Sequence, residues 1–443
     1  MKFAIIGGDA AGMSAAMQIV RHLPDADITV FEKGGIYSYG QCGLPYVAGG
    51  LIPSTDKLIA RSVETFREKY KIDARTYHEV QAVDAQNKTV TGLHTKTNEP
   101  FTFSYDKLLV ASGVRPLMPD WSGTHLDGVH VVKTIPDMER LLADLQNSMR
   151  EVTIIGGGYI GLEMAENMKA IGKNVRIIQR GSQVAGIFDD EMASHILQEA
   201  EKHGIEICLQ EEVLGFKGDD RVQFVKTAKK DYMTDLVIVS VGVKPNTDFL
   251  KGTGVALNDR GVVIVDEYMQ TNVEGIYAAG DCATQYHIVK KINDHIPLGT
   301  TANKQGRIAG LNMVGLKKPF KGVAGTSIIQ FMDLSLGKTG VSAKEAEKIG
   351  LTFKSVDISA NSHAGYYPGA EKLQIRILFA EDSKQLLGAQ IIGKKGVDKR
   401  IDVIATALYC GMTIDDLIDL DLSYAPPYNG AWDPLQQAAR RVK

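Results

Sequence analysis

A short apolar run, a cluster of glycines and a helical pattern occur together twice in this chain, and that repetition narrows its possible folds more than any other feature. Phe3 to Ile6 read as a buried strand, followed by Gly7-Gly8-Asp9-Ala10-Ala11-Gly12 and a helical pattern to about Leu23. A second apolar run, Ile28 to Phe31, ends at Glu32. This predicts a βαβ unit with an acid about 20 residues past the glycines, the arrangement that binds a dinucleotide. Gly7 permits the tight turn, Gly12 lets the helix lie against the strand, and the helix N-terminus faces a pyrophosphate. Asp9 stands where a glycine is commonest, so its carboxylate must point away from the phosphates.

The pattern returns at Val152 to Ile155, with Gly156-Gly157-Gly158-Tyr159-Ile160-Gly161, a helix to about Ile171 and a strand at Val175 to Ile178. One such loop is weak evidence, but two in the same strand-loop-helix setting are specific. Two further segments repeat each other: Asp106 to Gly113 and Asp235 to Gly242, each an apolar strand running into a small-residue turn. Later, Ile276-Tyr277-Ala278-Ala279-Gly280-Asp281 places an acid directly after a strand and a glycine. Beyond about Lys321 the pattern changes to alternating strands (Thr326 to Phe331, Leu373 to Phe379, Leu386 to Ile392) followed by helices at Asp398 to Leu408 and Ile414 to Leu420.

The 443 residues exceed one ordinary core and imply two to four domains. A formal net charge of -3 gives no case for a nucleic-acid partner. No apolar run approaches the ~18 residues needed to span a membrane. The glycines near the N-terminus break what could pass for a signal sequence, so a cytoplasmic, reducing location is expected. Four cysteines, at 42, 208, 282 and 410, are too few and too scattered for a disulfide scaffold or a zinc site, and no metal is expected. Cys208 and Cys410 sit in apolar-periodic segments and read as core. Cys282, next to Asp281, reads as a small packing residue.

With these motifs the chain resembles flavoproteins with two dinucleotide-binding domains. The resemblance implies an α/β fold of two Rossmann-like domains plus a C-terminal α+β dimerisation domain. The expected division is 1–114 (FAD domain, first part), 115–249 (NAD(P)H domain), 250–320 (FAD domain, second part) and 321–443 (dimerisation). FAD would lie on Gly7, Gly8, Ala11, Gly12, Glu32 and Lys33, with Ser112, Gly113 and Asp281. NADPH or NADH would lie on Gly156, Gly158, Gly161, Gln179, Arg180 and Gly242. Where a glutamate would repel a 2′-phosphate the chain has Gln179, and Arg180 adds a positive charge, so NADPH should serve at least as well as NADH.

Flavin disulfide reductases usually carry Cys-x4-Cys after the first unit, but here Cys42 is followed five residues on by Val47. The block Ser38-x3-Cys42-Gly43-Leu44-Pro45-Tyr46 resembles the single-cysteine branch: coenzyme A-disulfide reductases, NADH oxidases and NADH peroxidases. Members that handle oxygen or peroxide typically carry a histidine where this chain has Ala10. Gly365-Tyr366-Tyr367-Pro368-Gly369 and Ser423-Tyr424-Ala425-Pro426-Pro427-Tyr428 both resemble coenzyme A-disulfide reductases. Related persulfide reductases add a rhodanese domain, whereas this chain stops at Lys443.

The resemblance implies that Cys42 rests as a mixed disulfide with coenzyme A. Electrons would pass from NAD(P)H through FAD, freeing a Cys42 thiolate favoured by the flavin and by any nearby helix N-terminus. That thiolate attacks coenzyme A disulfide and regains the mixed disulfide. Tyr367 and Tyr424, supplied by the second subunit of a homodimer, match the tyrosines that would protonate the leaving thiolate. Coenzyme A would be held by Ser14, Gln18 and Arg21 on one helix face, by Ser38 and Gln41, and by Lys71 or its neighbours Lys57, Arg61, Arg67 and Lys69. Asn303 replaces a histidine common at the adenine end. The alternatives are an NADH oxidase or a persulfide/polysulfide reductase using the same cysteine, and a non-catalytic, flavin-linked thiol sensor.

Overall fold

Apolar runs of four or five residues, buried on both faces, become the parallel strands of two similar sheets; the alternating runs of the C-terminal third become an antiparallel one. The computed structural model describes residues 1–145 and 148–442. In the first sheet the order is Ile276–Ala278, Lys107–Val110, Lys2–Ile6, Asp27–Phe31 and Asp73–Arg75, all parallel. Ile6 stands opposite Phe31, and the Gly7 N–H continues the ladder to the Phe31 carbonyl at 2.9 Å. The glycine turn and Glu32 therefore emerge together at one edge.

The helix Ala10–His22 packs on Gly299–Met313, nearly 300 residues later, through small residues on both sides. A Cβ at Gly306 would lie 2.1 Å from the Ala11 carbonyl oxygen, and one at Gly310 2.5 Å from that of Ala15. Backbones can approach this closely only without side chains between them.

The second sheet repeats the plan with Ile205–Leu209, Asn174–Gln179, Glu151–Ile155, Leu236–Val239 and Val129–Val131. The chain passes between the two sheets through Val114–Pro116 and back through Val243–Pro245, and these segments pair antiparallel. The third sheet is Ser327–Phe331, Leu334–Gly340, Leu386–Gly393, Lys372–Ala380 and Phe353–Asn361. Against it lies the helix Val397–Cys410, burying Val397, Ile401, Ile404, Ala407 and Leu408. The inner strands Leu386–Gly393 and Lys372–Ala380 are buried on both faces, with Leu378 and Leu387 in a second cluster, and only the outer strand Phe353–Asn361 keeps an alternating burial.

The helix expected at Ile414 to Leu420 is instead a succession of turns. The Asp416 carboxylate accepts both the N–H and the hydroxyl of Thr413, and the Ile418 N–H reaches back only to Asp415. These reciprocal bonds cap a first turn, but the Ile418 and Asp419 N–H groups reach back three residues and not four, so the segment closes as turns and does not extend into a helix. The apolar signal was real in another sense, because Ile414 and Leu417 are fully buried. Two small antiparallel sheets, His78–Asp84 with Thr89–His94 and Pro100–Ser104, and Val213–Gly218 with Val222–Thr227 and Asp231–Met233, were not anticipated. No helix among the described residues is long and apolar enough to cross a membrane.

Candidate active site

Both glycine loops open onto one cavity of about 2140 Å³, and Cys42 lies on its wall. At the first loop Gly7 has φ +114°, and a Cβ there would sit 2.1 Å from the Ala111 carbonyl oxygen. A Cβ at Gly12 would sit 1.9 Å from the Gly7 carbonyl oxygen. Glu32 accepts the Gly8 N–H at 3.0 Å on one carboxylate oxygen and the Gly34 N–H at 2.8 Å on the other. The second loop copies this construction: a Cβ at Gly161 would lie 2.0 Å from the Gly156 carbonyl oxygen, and Gln179 Oε1 accepts the Gly157 N–H at 3.0 Å. Strand end, glycine turn and helix N-terminus at each loop fit a dinucleotide pyrophosphate.

Gly7, Gly8, Ala11, Glu32 and Lys33 line the first part of the cavity, with Ser112, Gly113 and Asp281 beside them. Gly156, Gly158, Gln179, Arg180 and Gly242 line the second. Gly12 and Gly161 lie behind the loops, where their role is the close helix approach just described. Arg180 is exposed and makes no hydrogen bond or ion pair among the described residues. Asp9 points away from the loop as anticipated, accepting the Tyr39 N–H at 3.2 Å and the Gln41 amide at 2.7 Å. It thereby ties the first loop to the Cys42 segment. Burial pushes the Asp9 carboxyl above its usual range, and those two hydrogen bonds oppose the rise.

Cys42 sits in the turn Gln41–Gly43, which runs directly into the helix Leu44–Ala48. That helix is crossed by Tyr159–Ala170, and a Cβ at Gly49 would lie 2.1 Å from Asn167 Oδ1. Cys42 is a free thiol open to the cavity. Even so, burial of its surroundings pushes the thiol above its ordinary range; Glu163 adds to the rise, Lys133 opposes it and Asp281 adds again. Two acids and the cavity wall thus face one lysine around the sulfur.

Two residues of this site were not read from the sequence. Glu163 lies one turn beyond Tyr159, and its carboxyl is pushed up to about 7 by burial, with Glu166 adding to the shift. A charged residue on a helix burying Leu162, Met164 and Ala165 was the available signal. Lys133 Nζ stands 3.4 Å from Asp281 Oδ2 with both side chains largely buried. It follows a three-residue strand and belongs to no motif.

Of the residues expected to hold a substrate, Gln41 and Asn303 line the cavity. Ser14 joins them by donating its hydroxyl to Asn303 Oδ1 at 2.8 Å. Gln18 is buried one turn further on, Arg21 is exposed at the helix end, and Ser38 (φ +47°) bonds the first loop through its N–H to the Gly8 carbonyl. Lys71 ends the helix Val63–Tyr70 in a left-handed conformation (φ 55°). Within the basic run, Arg67 is committed to the Ala74 carbonyl, while Arg61 and Lys69 flank the Tyr70 ring at 5.8 and 5.5 Å.

Tyr367 and Tyr424 do not line the cavity of their own chain; both are exposed on the C-terminal unit. The Tyr424 hydroxyl pairs at 2.9 Å with Tyr366, not with Tyr367, whose ring packs edge-on against His363. Tyr366 is thus a candidate the sequence left unmarked. Cys282 is fully buried with its sulfur near the Val110 and Ala279 carbonyls, as a packing residue should be. Cys410 was expected in the core but is exposed, because it falls on the solvent face at the last turn of its helix; Cys208 is only partly buried.

Comparison with known proteins agrees with this construction. Residues 1–306 match the family pattern of the pyridine nucleotide-disulphide oxidoreductases, and residues 326–435 match the dimerisation domain of that family. Over its whole length the chain is 38% identical to the NAD(P)H coenzyme A polysulfide/persulfide reductase of Pyrococcus horikoshii, covering 98% of that protein. It is 34% identical to the coenzyme A disulfide reductase of Staphylococcus haemolyticus, again over its full length and 99% of the relative. The crystal structure of reduced Bacillus anthracis CoADR-RHD superposes with a TM-score of 0.96 at 35% identity, over 99% of this chain and 79% of that one.

Proposed function

The chain belongs to the pyridine nucleotide-disulphide oxidoreductases, and from that premise we propose that it reduces coenzyme A disulfide with NAD(P)H through Cys42, as a homodimer. The observation that carries this reading is a lone thiol, with Val47 in place of a second cysteine, open on the cavity that both glycine loops share. A single enzyme sulfur can take part in disulfide chemistry only if the partner sulfur arrives with a substrate. The first loop, with Glu32 and Asp281, would hold FAD, and the second would hold the nicotinamide dinucleotide. Bound FAD would relay two electrons from NAD(P)H to the Cys42 sulfur.

Cys42 then alternates between two states. Reduction breaks its mixed disulfide and releases one coenzyme A thiol, leaving the Cys42 thiolate. The thiolate attacks one sulfur of coenzyme A disulfide, re-forms the mixed disulfide and expels a second coenzyme A thiolate, which takes a proton from a tyrosine hydroxyl of the other subunit. NAD(P)H supplies both electrons, and the balance is one disulfide consumed for two thiols formed. Lys133 counters charge that develops at Cys42, and Ser14, Gln41 and Asn303 are the polar groups grouped to receive the coenzyme. Intact mass of the purified protein tests the reading: reductant should remove one coenzyme A per chain.

A polysulfide or persulfide substrate is the second reading. It is favoured by a relative of matching length that carries that name, so chain length does not separate the two activities. Ala10, on the cavity wall where oxidases of this branch place a histidine, speaks against oxygen as the acceptor. Continuous consumption of NAD(P)H would separate all of these from a stoichiometric thiol sensor.

Arg180 carries the nucleotide preference in this reading. Its guanidinium is unpaired among the described residues and Gln179 brings no negative charge, so a 2′-phosphate would gain a charge-assisted hydrogen bond of about 1.5–3 kcal/mol. Arg180→Ala should raise the KM for NADPH about tenfold or more while leaving that for NADH within about threefold. A strong preference of the unmodified enzyme for NADH would overturn this.

A further inference from the structure

The tyrosine pair hangs from a buried arginine. Arg400, on the helix Val397–Cys410, is 1% exposed, and all three of its guanidinium nitrogens are engaged. Nε donates to Asp433 at 3.1 Å, Nη1 to the Gly396 carbonyl at 2.9 Å, and Nη2 to the Ser362 carbonyl at 2.8 Å and Asn429 Oδ1 at 3.1 Å. Ser362 closes the loop that presents Tyr366: its N–H donates to the Glu371 carbonyl, and its hydroxyl accepts the Glu371 N–H at 3.1 Å. Asn429 reaches both tyrosine segments. Its carbonyl oxygen accepts the Ala364 N–H at 3.1 Å, and its side-chain amide donates to the Ser423 carbonyl, also at 3.1 Å. Ala364 lies two residues before Tyr366, and Ser423 directly precedes Tyr424.

One planar cation and one asparagine therefore fix the bases of two loops whose tips are 75% and 50% exposed and meet through the Tyr366–Tyr424 hydroxyls. The fork geometry is what a lysine cannot copy: a single ammonium cannot span the Ser362 carbonyl, Asn429 and Asp433 in fixed directions. The opposite side of the same helix carries Asp398 and Asp402 to the cavity of its own chain.

We propose that Arg400, acting through Asn429, is a positioning residue that holds the Tyr366–Tyr424 pair in the geometry for protonating the expelled coenzyme A thiolate. This rests on the reading of the tyrosines given above, and the test keeps the two apart. The holoenzyme and its Tyr366→Phe, Tyr424→Phe, Arg400→Lys, Arg400→Met and Asn429→Ala variants are compared in the two half-reactions by stopped flow, with dimer content checked by gel filtration. Reduction of the flavin by NADPH, the hydride step that precedes any sulfur chemistry, should stay within twofold throughout. Cleavage of coenzyme A disulfide should fall about tenfold or more in Tyr424→Phe, Arg400→Met and Asn429→Ala, and less in Arg400→Lys. An aromatic disulfide whose thiol is a strong acid leaves without a proton donor, so with that substrate the same variants should recover to within about threefold of the unmodified enzyme. If both tyrosine variants cleave coenzyme A disulfide normally, the reading of the tyrosines fails and the positioning role with it. If they are slow while the Arg400 and Asn429 variants are not, or if the arginine variants stay slow with the aromatic disulfide, the positioning role alone is overturned. Should Arg400→Met not fold, Asn429→Ala decides.

Discussion

Cys42→Ser should yield a folded, flavin-retaining protein in which coenzyme A disulfide no longer drives NADPH consumption. The thiol is open to the cavity and makes no side-chain hydrogen bond among the described residues, so exchanging sulfur for oxygen costs little stability, within about 0.5 kcal/mol for a surface-like site. Its chemistry cannot be replaced. A serine hydroxyl is neither a disulfide partner nor an electron acceptor, and the remaining cysteines are badly placed. Cys282 is sealed behind the first sheet, and neither Cys208 nor Cys410 lines the cavity. The expected loss is on the order of a thousandfold or more, as for removal of a nucleophile. The bound thiol seen by intact mass should vanish too. Turnover surviving the substitution would mean that the reducing sulfur is elsewhere.

The second large effect separates the two loops. Gly12→Ala would put a methyl 1.9 Å from the Gly7 carbonyl oxygen and 3.1 Å from Ile5 Cγ2; Gly161→Ala would put one 2.0 Å from the Gly156 carbonyl oxygen and 2.9 Å from Ser240 Oγ. In both cases the obstacle is backbone, which cannot rotate away, so the helix must shift by about an ångström at a cost of about 1–3 kcal/mol or more. The consequences should differ. Gly12→Ala should purify without flavin, whereas Gly161→Ala should keep its flavin colour yet be reduced by NADPH at least about a hundredfold more slowly, two decades being the equivalent of ~2.7 kcal/mol. Absorbance of the purified proteins and stopped-flow reduction check this. A colourless Gly161→Ala with an intact fold would reverse the assignment of the loops.

The parallel sheets were legible because their strands are buried on both faces and end in glycine turns, which leaves little else such a sequence can be. The site was legible where it is local: Glu32, Gln179 and Cys42 each stand at a fixed distance from a glycine loop. It was illegible where it is built across the chain. Lys133 meets Asp281 across a sequence separation of 148 residues, and Tyr366 meets Tyr424 across one of 58. Tyr366 and Tyr367 are alike in sequence, and only the fold shows that the Tyr366 hydroxyl is the one paired with Tyr424. The segment Ile414 to Leu420 misleads for the opposite reason: its apolar spacing is helical and Thr413 with Asp416 caps a first turn, but the Ile418 and Asp419 N–H groups close i→i−3 turns and no second helical turn follows.

The first sheet draws its strands from both sides of the second unit, and this has a consequence for biosynthesis. Lys107–Val110 waits for Ile276–Ala278 at its edge, and Ala10–His22 waits for Gly299–Met313. At the usual translation rate of ~5–20 residues per second, roughly 15–60 s pass between the emergence of the first helix and that of its partner. During that interval the nascent chain carries a glycine loop with nothing behind it, while the second unit, whose five strands lie within 129–239, can close on the ribosome. On the loop assignment proposed above, flavin capture would be a late event in the life of each polypeptide, and scarcity of the cofactor would be felt by chains that have already folded their second unit.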